Sequence, residues 1–590
     1  MKEFFKFVFA SMVGVILSFF VIFLLLIILL TAVITSAGSD KKADISANTV
    51  MHLSLNNPVS ERTDKNPLSN FDFMGITSEK SLGLNDILAN IRNAKTNDHI
   101  EGIYLDVSSM PTGFASTEEI RNALIDFKKS KKFILAYSEV YTQSAYYLAS
   151  VADKIYLNPE GILDFRGFSS QITFVKGALD KLDIEAQVIK VGTYKSAVEP
   201  FILDKMSEAN RRQVTSFMGS LYDHLLTQIS KSRKIPKDSL FVIANEARIR
   251  NAKDALKYKM VDGLKYKDEV LSELKSLTGI KPEKDVKTVS IADYPLKEKE
   301  GGSGSSSNRI ALVYANGEIT GGEGNDNVIG SDRISRAIRK ARTDDKVKAV
   351  VLRINSPGGS ALASDVIWRE VVLTKKVKPI MVSMGDVAAS GGYYIACAAD
   401  SIFAQPNTIT GSIGVFGIIP NMKNFFNNKL GITFDGVKTG QFADLGSINR
   451  PLTEAERLII QNEVNQIYAG FTQKVANGRK KPQPYIDSIG QGRVWSGTEA
   501  LKNGLVDRLG NINDAIASAA KKAKLKDYKI VEYPSQIDPF QSLFSDTGDK
   551  VRTYFTKKEL GENYTYYEQV KSALSLTGIQ ARLPYNISIK

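Results

Sequence analysis

The sequence predicts an α/β fold that is built twice behind a single membrane-spanning helix. Three observations lead there. Residues 7–34 contain no charged side chain. Four blocks of the remaining chain recur at offsets of 245 to 247 residues. Within each copy, short apolar runs alternate with amphipathic stretches, the pattern of α/β units with mainly parallel strands.

The helix comes first. The run from Phe19 to Leu30 is almost pure hydrocarbon, and about 20 apolar residues in a helix cross a bilayer core. Lys2 and Lys6 precede it, which favours an inside N-terminus and leaves the bulk of the chain outside the cytoplasm. Thr35-Ser36-Ala37 loosely resembles a cleavage site. A cleavable signal peptide, however, has an apolar region of only about 7–15 residues. Residues 1–42 are therefore expected to form an uncleaved anchor.

The duplication follows. Ile103-Tyr104-Leu105-Asp106-Val107 matches Val350-Val351-Leu352-Arg353-Ile354, and Ile134-Leu135-Ala136-Tyr137 matches Ile380-Met381-Val382-Ser383. Residues 146–153 match 393–400, and residues 255–262 match 500–507. Coincidence does not hold one register across four blocks. A Gly/Ser-rich stretch at 296–308 reads as an exposed linker. It separates a first half, 43–295, from a second, 309–532. Residues 533–590 form an extension rich in aromatics and lysine, with no readable function.

Composition narrows the chemistry. The chain has 590 residues, 43% hydrophobic and 24% charged, enough for a sizeable core. Its one cysteine, Cys397, excludes a disulfide framework and a multi-cysteine metal site. Three histidines, His52, His99 and His224, leave little for a histidine metal centre. The net charge of +13 suits anionic partners or a membrane surface. Basic residues are spread along the chain, so no nucleic acid is expected as a partner.

Three glycine-rich corners of the second half carry the candidate chemistry. Asn355-Ser356-Pro357-Gly358-Gly359-Ser360 stands between a strand and a helix, where glycine amides can face a developing oxyanion. Taken alone, it reads first as a tight strand–helix turn that needs glycine for its geometry. Met384 to Tyr394 puts Ser390 at a helix N-terminus among small residues, either as an exposed nucleophile or as an N-cap. Thr410-Gly411-Ser412-Ile413-Gly414 crowds a further strand end. A serine nucleophile needs a base, and all histidines precede residue 225, which leaves a Ser-His-Asp triad poorly supported. The alternative is a lysine. Its free pKa is about 10.4, and burial would have to lower it.

These three corners resemble the signal peptide peptidase A (protease IV) family. So does Val191-Gly192-Thr193-Tyr194-Lys195-Ser196-Ala197-Val198-Glu199-Pro200-Phe201 in the first half. The resemblance spans anchor, both halves and linker, as in the long bacterial form. It implies two tandem Clp-protease/crotonase-like domains after one transmembrane helix. It implies a Ser/Lys dyad that degrades cleaved signal peptides and other apolar peptides at the bacterial inner membrane, from the periplasmic side. Motif by motif, Ser390 corresponds to the nucleophile, Lys195 to the general base and Ser412 to the hydroxyl that orients the lysine. Gly358, Gly359 and Gly391 correspond to the oxyanion hole. No metal or organic cofactor is implied, and the assembly is expected to be a homo-tetramer.

The duplication offers a check. It sets Gln143 opposite Ser390 and Gln441 opposite Lys195. The first half thus keeps the base and lacks the nucleophile, and the second does the reverse. Two rival readings are a crotonase-like acyl-CoA enzyme and a non-catalytic membrane scaffold. The first conflicts with a location outside the cytoplasm, and the second predicts that Ser390→Ala leaves function intact.

Overall fold

A computed structural model of the protein describes residues 2–37, 45–63, 82–295, 306–536, 556, 559–561, 564 and 578–583. The expected linker lies outside these residues for 296–305. The N-terminal helix runs Lys2–Ala37. Its Glu3–Leu25 portion has a mean hydropathy of 2.8 and is not buried against the rest of the chain, so its length and composition suit a membrane span.

Each half is built on a largely parallel sheet. In the first, strands 263–264, 154–163, 133–141, 100–106, 49–53 and 288–290 lie side by side in that order, all parallel. In the second, the order is 494–496, 409–411, 380–389, 347–356, 309–316 and 529–533, with 401–404 and 508–509 attached beside 380–389. Strands covered on both faces read as continuous apolar runs, and Val350, Val351 and Leu352 are all fully buried.

The duplication recurs atom by atom. Tyr146 donates its hydroxyl to Met260 O at 2.7 Å, and Tyr393 to Leu505 O at 2.8 Å. Asp262 accepts from Ile155 N at 2.8 Å, and Asp507 from Ile402 N at 2.7 Å. Helices Glu208–Arg233 and Glu454–Arg479 are both 26 residues long, capped by Ser207 and Thr453, and both stop at a left-handed lysine, Lys234 and Lys480. The alternating α/β architecture and its repetition follow the sequence expectation.

Three features lock the halves together. One apolar core is continuous from Leu105 and Ile134 of the first half to Leu312, Val351 and Met381 of the second. A third, mixed sheet crosses the boundary: strand Glu185–Val191 pairs antiparallel with Val415–Asn421 over seven residues. Finally, Arg353 of the second half is buried between two carboxylates of the first. Its guanidinium donates to Glu61 at 2.8 and 3.2 Å and lies 2.8 Å from Glu119. Next to it, Asp386 accepts from Ser116 N and Oγ at 2.9 and 2.6 Å, again across the boundary.

Candidate active site

Strand Ile380–Ala389 runs directly into helix Gly391–Ala396, and Ser390 is the single residue between them. So abrupt a turn forces Ser390 to φ 55°, ψ −113°. Such a backbone costs a non-glycine residue on the order of 1–3 kcal/mol. It is held by Ser390 N donating to Gly411 O and Tyr394 N donating to Ser390 O, each at 2.8 Å. The helix start is crowded. A Cβ on Gly391 would stand 2.6 Å from Ser364 Oγ, and one on Gly392 would stand 2.8 Å from Ser356 O.

Lys195 arrives from the other half. It follows strand Glu185–Val191, and the antiparallel pairing with Val415–Asn421 delivers it beside the second half's loops. Tyr194 N donates to Gln491 O at 2.8 Å, and Gln213 Nε2 donates to Tyr194 O at 3.1 Å and Ser196 Oγ at 2.8 Å. Gly492, at φ 78°, passes so close that a Cβ there would meet Lys195 N at 2.6 Å. Lys195 and Ser390 are both fully buried.

The two side chains meet within one chain. Lys195 Nζ and Ser390 Oγ are 2.9 Å apart. The amine also contacts Ser412 Oγ at 3.1 Å and Ser412 O at 3.3 Å. Burial pushes the Lys195 ammonium well below its ordinary pKa. The environment is thus one in which a neutral amine can accept the serine proton.

Gly358, at φ 94°, faces Gly391 across the site. A Cβ on Gly358 would lie 2.7 Å from Gly391 N. Gly358 N donates to Ser356 Oγ at 3.1 Å, and Gly359 sits beside it in the short strand Gly358–Ser360. The structure therefore gathers Ser390, Lys195, Ser412, Gly358 and Gly391 in one place. The histidines have other partners: His52 pairs with Asp106, His99 contacts Ile45 O, and His224 approaches Glu118. Gln143 exchanges hydrogen bonds with Gly167 at 2.9 and 3.3 Å, whereas Gln441 is exposed in a loop.

Sequence reasoning missed two parts of the site. One is Gln491-Gly492, whose signal was a fourth glycine-rich corner at Gly490-Gln491-Gly492. The other is strand Ile579–Arg582, from the extension that carried no readable function. It lies between Gly358–Ser360 and Val415–Asn421.

Comparison with known proteins gives a consistent result. The model of peptidase family S49 matches twice, over residues 126–281 and 373–526, once in each half. The chain is 41% identical over 462 residues to Protease 4 of Salmonella typhi, covering 76% of this chain and 74% of that protein. It is 34% identical to Protease 4 of Haemophilus influenzae, covering 87% and 86%. It is 31% identical to the chloroplastic serine protease SPPA of Arabidopsis thaliana, covering 85% and 74%.

Proposed function

The chain belongs to peptidase family S49 and is a serine peptidase, and we propose that it works through a dyad of Ser390 and Lys195 contributed by different halves of one chain. The 2.9 Å approach of a buried lysine amine to Ser390 Oγ carries this reading. Neutral Lys195 takes the Ser390 proton, and Oγ attacks the peptide carbonyl. Amides of Gly358, Gly359 and Gly391 receive the oxyanion. Protonated Lys195 then gives its proton to the leaving amine. The same lysine activates the water that hydrolyses the acyl-enzyme. Ser412, at 3.1 Å, keeps the amine aimed at Ser390.

The substrates proposed are extended apolar peptides, among them cleaved signal peptides. An anchor through Glu3–Leu25 supports this, because it would hold the site next to the membrane where such fragments lie. With Lys2 and Lys6 inside, the two halves would face the periplasm of a bacterial inner membrane. A homo-tetramer is part of the same proposal. By the internal offset, residues 431–437 of the second half correspond to strand Glu185–Val191 of the first, yet they form no strand among the described residues. Ile432, Phe434 and Val437 there are exposed, an apolar edge suited to a second copy.

The test is hydrolysis of a fluorogenic apolar peptide by the full chain in detergent from pH 6 to 10. The rate is expected to rise with pH, because only the neutral amine is a base. The apparent pKa should fall below the ordinary lysine value of about 10.4, as burial dictates. Lys195→Ala should remove activity. A rate that falls between pH 8 and 9, or that survives Lys195→Ala, defeats the dyad.

A further inference from the structure

A cleft of about 580 Å³ opens in the first half. Its walls come from residues 109–111, 142–144 and 166–169. Each wall is the counterpart of one wall of the candidate active site at a single internal offset: Pro111 of Gly358, Gln143 of Ser390 and Ser169 of Phe416. In the second half an extended segment, Ile579–Arg582, runs between Gly358–Ser360 and Val415–Asn421. Between the matching walls of the first half lies this cleft.

The cleft keeps the outline of a peptide site without its chemistry. Pro111 has no amide to offer an oxyanion. The Gln143 carboxamide is turned onto Gly167, whose N–H it accepts at 2.9 Å. Such a site can hold a chain and cannot cut it. One side is apolar, with the rings of Phe114 and Phe168 4.9 Å apart beside Met110. The other side carries the hydroxyls of Thr142 and Ser144. Arg166 Nε donates to Asp164 at 2.6 Å, so the two charges of the lining offset one another. Two residues before Thr142 and Asp164, Val140 and Ile162 face each other in register, and both are exposed. Apolar surface with a few hydroxyls and no net charge suits an extended apolar peptide. The cleft also abuts the candidate active site. A Cβ on Gly113 would meet Asp386 Cγ at 2.1 Å, and Asp386 lies on the strand that ends at Ser390. Phe168 packs on the apolar cluster that contains Ala389, the residue before Ser390.

We propose that the first-half cleft is an exosite: it holds, uncut, a second stretch of the same apolar peptide whose scissile bond lies at Ser390. The proposal rests on the peptide-substrate reading above. A peptide long enough to reach both places is held at two points, and the second attachment forms at a high effective concentration. That advantage falls in KM, because the cleft touches no reacting atom. A short peptide occupies the Ser390 site alone and gains nothing from the cleft.

The experiment gives the full chain in detergent two substrates at pH 9. One is a fluorogenic apolar tetrapeptide. The other is an apolar peptide of about 20 residues, the length of a membrane-spanning stretch, that contains the same tetrapeptide. Ser109→Trp and Ser169→Trp each put a large side chain into the cleft from an exposed position. Each is expected to raise KM for the long peptide about tenfold or more. Its kcat, and both constants for the tetrapeptide, should stay as in wild type. In Ser390→Ala, a long peptide bearing a benzophenone side chain is expected to label residues 109–114 or 166–169. An unchanged KM for the long peptide in both variants, or no label in the cleft, overturns the exosite while tetrapeptide hydrolysis leaves the peptidase reading standing. A changed oligomeric mass with every KM unchanged gives the cleft to a second copy and likewise overturns the exosite. A wild type that hydrolyses neither peptide overturns the substrate reading as well.

Discussion

Strand 380–389 and helix 391–396 have a counterpart in strand 133–141 and helix 143–149, with the same tyrosine anchor behind each helix. What stands at the turn differs. Ser390 is strained at φ 55° and faces an amine. Gln143 starts its helix behind a capping Thr142 and closes onto Gly167. Where the second half has Gly358 and Gly359, the first has Pro111 and Thr112 at the internal offset, which removes one amide donor outright. The first half instead contributes Lys195 from its strand end. On the proposed dyad, one scaffold carries the nucleophile in one copy and supplies the base from the other, and chemistry returns only where the two copies meet.

The largest test of this asymmetry is removal of either partner. Ser390→Ala and Lys195→Ala should each lower kcat about 10,000-fold, and the double variant should be no worse, because the two act as one unit. Steady-state hydrolysis checks it, and additive losses would break the comparison. Next comes the ionic lock. Arg353→Met would leave Glu61 and Glu119 buried without their cation and should cost about 3–5 kcal/mol in denaturant unfolding. Its first-half counterpart, Asp106, sits half-buried beside His52. Asp106→Asn should cost less than about 1 kcal/mol.

A smaller effect should follow from Gly492→Ala. The added Cβ must push the Lys195 backbone away, and a shift of that kind costs about 100-fold in kcat with little change in KM. Glu119 gives a pH signature. Burial, with Glu61 and Asp386 nearby and Arg353 opposing, pushes its carboxyl up to about 7 from 4.5. The folded state thus holds the Glu119 proton more tightly than the unfolded chain does. Its contribution to stability is complete below pH 4.5 and is lost as the pH rises through about 7. Relative to wild type, Glu119→Gln should gain Tm between pH 5 and 8, and parallel curves would show that the carboxyl does not titrate there. Last, Gln143→Ala should leave peptide hydrolysis unchanged, since Gln143 touches Gly167 and not the dyad.

The apolar anchor, the repeated α/β blocks and the glycine corners were legible because each is a local pattern. Ser390, Gly358 and Lys195 were legible as positions within motifs. Their meeting was suggested by the complementary glutamines Gln143 and Gln441. What stayed hidden comes from contacts across great sequence distance. Arg353 and Glu61 are 292 residues apart, and Gln491 is 298 residues from Thr193, which it contacts. Neither pair leaves a periodic trace. Strand 579–582 is four residues of ordinary composition, and only its slot beside Gly358 gives it meaning.

The separation of 195 residues between Lys195 and Ser390 also has a consequence for biogenesis. The chain emerges from the ribosome N-terminus first, at roughly 5–20 residues per second. Ser390 therefore follows Lys195 after about 10–40 seconds at that pace. Gln491 and Gly492, which pin the lysine, come later still. On the proposed dyad, a growing chain has no working site when Lys195 emerges, and it gains one only after Ser390 and then Gln491 and Gly492 have followed.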